Sequence, residues 1–217
     1  MGISVRNATK VIKGATVLDN VSLDIPHGRV TGLRGINGSG KTMLMRAVCG
    51  LIRLSGGTVE VDGKVLGRDI DSPLSVGLLI ENPGFLDAFS GFDNLWLLAQ
   101  LSGRTTRQDV VAAIEKVGLD PHLQKPYRTY SLGMKQRLGI AAAIMEQPDL
   151  VILDEPTNAL DEGGVAMLQK IVATERERGA AVLIASHDAD VLASLADTVY
   201  VMYEGVLTRE EATDEAA

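Results

Sequence analysis

The sequence predicts an α/β fold with a mostly parallel sheet as its core, an antiparallel β segment at the N-terminus and a helical insertion. Composition is the first reason, because 46% of the 217 residues are hydrophobic but only 4% are aromatic, as in soluble α/β proteins. The second is the succession of β-type runs in residues 1–30, and the third is the alternation of apolar strands and helices after residue 147, typical of βαβ units. This length suits one domain, 1–217, with a core of its own.

The N-terminal third is predicted to contain strands, one helix and a hairpin. Strand-type patterns occupy residues 3–5, 16–18, 21–25 and 30–33. A helix is expected from Lys41 to about Gly50, where glycine can end it. Within residues 58–66, alternating apolar residues surround Asp62-Gly63, which predicts a hairpin turn.

Residues 86–147 have a helical pattern and are predicted to form a helical subdomain. Ser90 is a candidate N-cap of one helix, and Thr105 with Gln108 predicts a capping box for the next. The remaining elements are expected at residues 150–153, 164–178, 180–185, 188–195 and 198–202. The acidic tail after Glu210 is expected to be a disordered, solvated end.

Charge, cysteine content and hydropathy argue against several classes of function. The net charge is −7 and the basic residues are scattered, which disfavours binding to a nucleic-acid backbone. Cys49 is the single cysteine and lies in an apolar helical stretch, so we expect a buried thiol in a reducing cytoplasm. The apolar runs are much shorter than the roughly 20 residues of a membrane span, and the start of the chain lacks a secretory pattern. A role at a membrane would therefore need another chain to supply the spanning part.

Residues 35–42 have the spacing of a phosphate-binding loop, Gly-x₄-Gly-Lys-Thr, between a predicted strand and a predicted helix. Glycines let backbone N–H groups converge on phosphates, and the helix N-terminus adds a favourable dipole. Lys41 is expected to reach the β and γ phosphates of ATP, and the Thr42 hydroxyl to ligate Mg²⁺. The predicted nucleotide-binding residues are Gly35, Ile36, Asn37, Gly38, Ser39, Gly40, Lys41, Thr42 and Met43.

Two carboxylates follow the apolar strand at residues 150–153, at the sheet edge where ligands bind in such folds. Asp154 is suited to hold Mg²⁺ through water, and Glu155 to orient and deprotonate an attacking water. Taken alone, two acids at a strand end are more often a solvated strand end. Together with Lys41 and Thr42, they predict ATP hydrolysis.

With three further motifs the chain resembles the ABC ATPases. These motifs are Tyr-Ser-Leu-Gly-Met-Lys-Gln-Arg at 130–137, Asn-Ala-Leu-Asp at 158–161 and Ser-His-Asp at 186–188. The resemblance implies that Ser131 and Gly133 face the γ-phosphate of ATP held by an opposite subunit. It also implies that Asp161 lies in the loop crossing between subunits and that His187 holds the γ-phosphate and the attacking water. Singly, Ser131 could be only a helix cap and His187 a core histidine.

The same resemblance implies partners, because one chain supplies only half of each site. We expect a dimer with a second ABC ATPase subunit, either a copy of this chain or a related one. A separate membrane-spanning transporter subunit would hold this chain on the cytoplasmic face of the cell membrane.

Two positions depart from the commoner family sequence. Ile12 stands where many members have an aromatic residue that stacks on adenine, so weaker or less base-selective binding is expected, although Ile12 could also pack against the base. Glu81 replaces a glutamine that senses Mg²⁺, and a carboxylate can still ligate this ion. The residues around Glu81 and residues 130–134 resemble exporters of peptide antibiotics such as bacitracin and lantibiotics. The C-terminal extension that many of those exporters carry is absent from this sequence.

Three alternatives remain open at this stage. A non-transport ABC ATPase, acting in iron–sulfur assembly, DNA repair or translation, is disfavoured because tandem domains and long coiled-coil insertions are absent. A nucleotide-gated regulatory module with little turnover is supported only by Ile12 and Glu81, and Glu155 with His187 opposes it. A small-molecule P-loop kinase would have no use for the motif at residues 130–137.

Overall fold

The computed structural model describes residues 2–73, 75–81 and 83–210 and folds them into two sheets, six α-helices and a short 3₁₀ helix at Tyr127–Thr129. The strands are β1 (Gly2–Ile12), β2 (Ala15–Pro26), β3 (Val30–Arg34), β4 (Gly56–Val61), β5 (Lys64–Val65), β6 (Val76–Leu79), β7 (Leu150–Asp154), β8 (Ala181–Ser186), β9 (Thr198–Tyr203) and β10 (Val206–Arg209). The helices are α1 (Lys41–Val48), α2 (Gly91–Ser102), α3 (Arg107–Lys116), α4 (Leu132–Ile144), α5 (Glu162–Glu177) and α6 (Ala189–Leu195). The predicted disordered tail after Glu210 lies outside the described residues.

The larger sheet has the strand order β10-β9-β3-β8-β7-β6 and is parallel except for β10 at one edge. Its central strands are buried almost throughout, as expected for strands covered on both faces. The mostly parallel core is therefore confirmed. Strands β6 and β10 were not predicted, because each has only four residues, too few for a periodic pattern to stand out.

The smaller sheet is antiparallel, in the order β2-β1-β4-β5, as predicted for the N-terminal segment. Its two long strands bend at register shifts and therefore read in the sequence as several short runs. Asp62 and Gly63 both have positive φ, 47° and 84°, which is the backbone of the predicted hairpin turn.

The helical insertion contains α2, α3 and α4 between β6 and β7, and its status as a separate subdomain over residues 86–147 stays a prediction. Ser90 caps α2 as predicted, accepting a hydrogen bond from the Asp93 N–H. The capping box of α3 is one residue later than predicted. It joins Thr106 to Asp109, whose carboxylate accepts the Thr106 N–H at 2.8 Å, an acceptor stronger than an amide oxygen.

The parallel sheet separates two hydrophobic cores, one against the helical insertion, α5 and α6, and one against α1 and the antiparallel sheet. Cys49 is buried in the second core, and burial raises the pKa of its thiol to about 12. Over the described ranges, no helix combines the length and apolar character needed to cross a membrane.

Candidate functional site

The loop at residues 35–42 joins β3 to α1 and presents an open helix N-terminus. Gly40 precedes the helix with φ 113°, and a Cβ at this position would lie 2.8 Å from the Val17 carbonyl oxygen, so only glycine fits. The first turn of α1 has no acidic residue, and no side chain caps it. Lys41 is almost completely buried, and its Nζ donates to the Gly35 and Ile36 carbonyl oxygens at 2.5 and 3.2 Å. These features suit the binding of a phosphate chain.

A hydroxyl and a carboxylate meet beside this loop. Thr42 Oγ1 donates to Asp154 Oδ2 at 2.6 Å, joining the start of α1 to the end of β7. Burial raises the pKa of the Asp154 carboxyl above its ordinary value. The charges of Glu155 and Glu81 act in the same direction, whereas the Thr42 hydrogen bond and Lys41 lower it. A cation bound at this pair of oxygens would favour the ionised carboxylate.

The Glu155 carboxylate is held between two basic side chains. Its Oε2 lies 2.8 Å from His187 Nδ1, and its Oε1 lies 3.4 Å from Lys41 Nζ. The backbone at Glu155 has φ 47°, with its N–H donated to the Ala185 carbonyl and its carbonyl accepting from Gln136 Nε2. Within the described residues, Oε1 is buried and accepts no hydrogen bond. This oxygen is therefore available to accept a hydrogen bond from a water molecule in the cleft.

Most of these groups line one cleft of about 680 Å³, a volume typical of small-molecule sites. Its walls include the predicted residues from Ile36 to Met43, together with Glu81, Asp154 and Glu155, whereas the predicted residues Gly35 and His187 do not line it. Six further residues line the cleft and were not predicted as site residues, namely Thr16, Val17, Gln136, Asn158, Glu204 and Gly205. Only Gln136 and Asn158 had a sequence signal, since both belong to motifs already recognised.

The turn between β9 and β10 holds the phosphate loop in place. The Gly205 N–H donates to the Ser39 carbonyl oxygen at 2.9 Å, and the Gly205 carbonyl accepts from the Asp19 N–H at 2.9 Å. All of these bonds use backbone atoms, so no side-chain pattern identifies them in a sequence.

Ile12 and Glu81, the two unusual positions, differ in their surroundings. Ile12 ends β1 opposite Ala15 and is 38% exposed, but it does not line the cleft. Its contact with the base stays a prediction. Glu81 lines the cleft, and its Oε1 forms an ion pair with Arg46 Nη2 at 2.9 Å.

The predicted residues Ser131, Gly133 and Asp161 form a second group that does not line the cleft. Ser131 caps α4 by accepting from the Met134 N–H at 3.2 Å, and the first turn of that helix has no acidic residue. Asp161 caps α5 by accepting from the Gly164 N–H, which lowers the pKa of this carboxyl.

The two caps of this second group are physically connected. A Cβ at Gly133 would lie 2.9 Å from the Ala159 carbonyl oxygen, so the loop before α5 packs directly on the start of α4. Arg137 of α4 also contacts this loop by donating to Asp161 Oδ1 at 3.1 Å, and it donates to the Val117 carbonyl at the end of α3 at 2.8 Å. The N-terminus of α4, capped by Ser131, and the Asp161 loop therefore form one surface, and neither Ser131 nor Asp161 lines the cleft.

No group of three or more His, Cys, Asp or Glu side chains shaped to hold a metal is present among the described residues. The oxygens of Thr42 and Asp154 nevertheless fit Mg²⁺, which proteins usually bind through one or two carboxylates together with substrate phosphates and water.

Comparison with known proteins identifies relatives along nearly the whole chain. The profile of the ABC transporter family matches residues 18–158. An uncharacterized ABC transporter ATP-binding protein of Bacillus subtilis, YybJ, is 46% identical and is covered over 96% of both chains. The bacitracin transport ATP-binding protein BcrA of Enterococcus faecalis is 41% identical over 96% of this chain and 68% of its own. The lantibiotic transport ATP-binding protein SrtF of Streptococcus pyogenes is 34% identical over 98% of this chain and 91% of its own.

Solved structures agree on the architecture. The dimeric structure of a bacterial ABC transporter cassette, MJ0796, superposes with a TM-score of 0.88 at 23% identity, over 96% of this chain and 97% of the other. At this identity the similarity bears on the fold, and it supports the predicted P-loop NTPase architecture.

Proposed function

This chain belongs to the ABC transporter family, and from that membership we propose roles for the residues of its cleft and partners for the subunit. As the motifs predicted, it is the ATP-binding subunit of an ABC transporter and an ATPase. The observation that carries the proposed roles is the meeting of Lys41, Thr42, Asp154 and Glu155 in one cleft.

Hydrolysis in this cleft depends on positioning and charge. The backbone N–H groups of the loop and Lys41 bind the β and γ phosphates, and Thr42 and Asp154 hold Mg²⁺, with Glu81 as a third candidate ligand. When bound, this ion neutralises charge that develops on the phosphate oxygens. Glu155 accepts the proton of the water that attacks the γ-phosphorus, while His187 fixes the carboxylate that it contacts at 2.8 Å. The products are ADP and phosphate.

The second group of residues completes the site of another subunit. Ser131 and Gly133 sit at an acid-free helix N-terminus that favours an anion, yet this helix end lies outside the chain's own cleft. A second copy of the chain would bring its own Ser131, Gly133 and Asp161 to the first copy's γ-phosphate. A homodimer with two shared sites is therefore the proposed ATPase unit, and a related chain as the second subunit is the alternative.

The proposed work of the dimer is to drive a membrane-spanning subunit. Apolar side chains on and before α2 support a partner surface, since Phe89, Leu97, Leu98 and Leu101 are all exposed and Leu101 is 85% exposed. Relatives named for bacitracin and lantibiotic transport support export of a peptide antibiotic as the cargo class. The subunit would then act on the cytoplasmic face of the membrane.

Co-purification with a membrane-spanning subunit tests this function. The tagged chain, expressed in its source cells, should co-purify from detergent-solubilised membranes with a protein of several membrane spans. Reconstitution of that complex in lipid nanodiscs should show ATPase activity that a peptide antibiotic stimulates. Leu101→Asp should weaken the complex while leaving ATP binding intact. Recovery of the chain only with soluble repair or iron–sulfur assembly proteins would favour a non-transport ABC ATPase.

A further inference from the structure

Glu81 and Arg46 form an ion pair at the wall of the nucleotide cleft. Arg46 lies in the last turn of α1, the helix that begins at the phosphate loop, and Glu81 follows β6 with φ 56°. Their Nη2 and Oε1 atoms are 2.9 Å apart, and the side chains are 34% and 63% exposed. Glu81 lines the cleft, whereas Arg46 does not. The ion pair therefore holds the Glu81 carboxylate against the wall of the nucleotide cleft.

The cleft contains an excess of negative charge. Glu81, Asp154, Glu155 and Glu204 all line it, and Lys41 is the basic residue among its lining side chains. Lys41 is already paired with Glu155. A triphosphate entering without a metal would therefore be repelled by any carboxylate that lacks a cation of its own. Arg46 supplies that cation to Glu81.

We propose that Arg46 is a positioning residue that holds Glu81 aside until Mg²⁺ enters with the nucleotide, and that this exchange sets how strongly nucleotide binding depends on Mg²⁺. This inference rests on the proposed function of the cleft. Glu81 has two competing uses for one carboxylate, since it can pair with Arg46 or offer a hard oxygen to Mg²⁺. A glutamine could not form an ion pair with Arg46, so this exchange requires a glutamate at position 81.

The test measures binding of a non-hydrolysable ATP analogue by titration calorimetry, once with EDTA and once with Mg²⁺. The observable is the ratio of the dissociation constant without Mg²⁺ to that with Mg²⁺. Arg46→Met leaves Glu81 free to repel bare phosphates and to reach the ion, so the ratio should rise about two- to fivefold, the range expected for a partly exposed ion pair. Arg46→Lys should restore most of the parent ratio, because it keeps the charge.

The double variant decides whether the effect passes through Glu81. In a Glu81→Gln background, Arg46→Met should leave the ratio of dissociation constants unchanged. The control is Arg53→Met in the parent chain, which removes an exposed arginine near α1 and should also leave this ratio unchanged. A ratio that stays constant or falls in Arg46→Met, or that rises equally in the Glu81→Gln background, would overturn the proposal. If Arg46→Met does not fold, Arg46→Gln provides the same comparison. Failure of the cleft itself would look different, because the parent chain would then bind no analogue under either condition.

Discussion

Replacing Glu155 with glutamine separates nucleotide binding from hydrolysis in this structure. The amide preserves the size of the side chain but cannot accept the proton of the attacking water. Its oxygen or nitrogen can still contact His187 Nδ1, now 2.8 Å from the carboxylate. The site that holds the phosphates and Mg²⁺, built on Lys41, Thr42 and Asp154, is untouched.

The structure sets the size of both effects. General-base catalysis contributes about 10²- to 10⁴-fold, so ATP hydrolysis should fall by that factor. Binding should tighten, because Glu155 Oε1 is 3.4 Å from Lys41 Nζ and competes with the phosphates for that cation. Two unit charges at this separation interact by about 5 kcal/mol at an effective dielectric constant of about 20. Desolvation of the buried pair cancels most of this term, and a net gain of about 1 kcal/mol corresponds to roughly fivefold tighter binding.

Phosphate release and light scattering measure the two consequences. Purified Glu155→Gln protein with ATP and Mg²⁺ should scatter as a dimer and return to the monomer with ADP, whereas the parent should not accumulate the dimer during turnover. Glu177→Gln, which removes an exposed carboxylate at the end of α5, is the matched control and should hydrolyse ATP like the parent. A Glu155→Gln variant with the parent rate of hydrolysis would exclude Glu155 as the base. A variant that is inactive but monomeric would argue against the shared dimer site alone.

Two further substitutions test the nucleotide site. Lys41→Ala should reduce ATP affinity at least tenfold in titration calorimetry, since a buried cation at the phosphates is lost. The control Lys170→Ala, which removes an exposed lysine of α5, should leave the affinity unchanged. Undiminished affinity in Lys41→Ala would contradict the assignment of the phosphate site. Ile12→Tyr should tighten ATP binding and increase the preference for ATP over GTP, because it restores a stacking surface. The control is Val11→Tyr, which places the same ring on the opposite face of β1 and should have neither effect. Equal effects of the two tyrosines, or none, would mean that Ile12 does not face the base.

The functional residues of the site could be predicted wherever one short segment contains both the residues and the strand end that positions them. The loop at 35–42 follows β3 directly and the acids at 154–155 stand at the end of β7, so their place at the carboxyl edge of the sheet follows from local pattern. Their mutual contact, such as the 2.6 Å hydrogen bond from Thr42 to Asp154, required only that both strands join the same sheet.

Contacts between segments that are far apart in the sequence could not be predicted. The Arg46–Glu81 pair joins α1 to the segment after β6, and neither residue indicates the other in the sequence. Strand β10 is short and lies at the sheet edge, where no burial pattern marks it. The capping box was predicted one residue too early for a different, local reason. Thr105 and Thr106 both offer a hydroxyl, and the structure uses Thr106, whose partner is the Asp109 carboxylate.

The backbone hydrogen bonds between the β9–β10 turn and the phosphate loop bear on how the cleft forms during protein synthesis. The loop at residues 35–42 leaves the ribosome early, but the Gly205 N–H that bonds to the Ser39 carbonyl is synthesised much later. Part of the cleft wall, Glu204 and Gly205, is therefore missing from any nascent fragment that ends earlier. We therefore expect a nascent fragment that ends before Glu204 to bind nucleotide less tightly, because its phosphate loop lacks this backbone contact and its cleft lacks this wall.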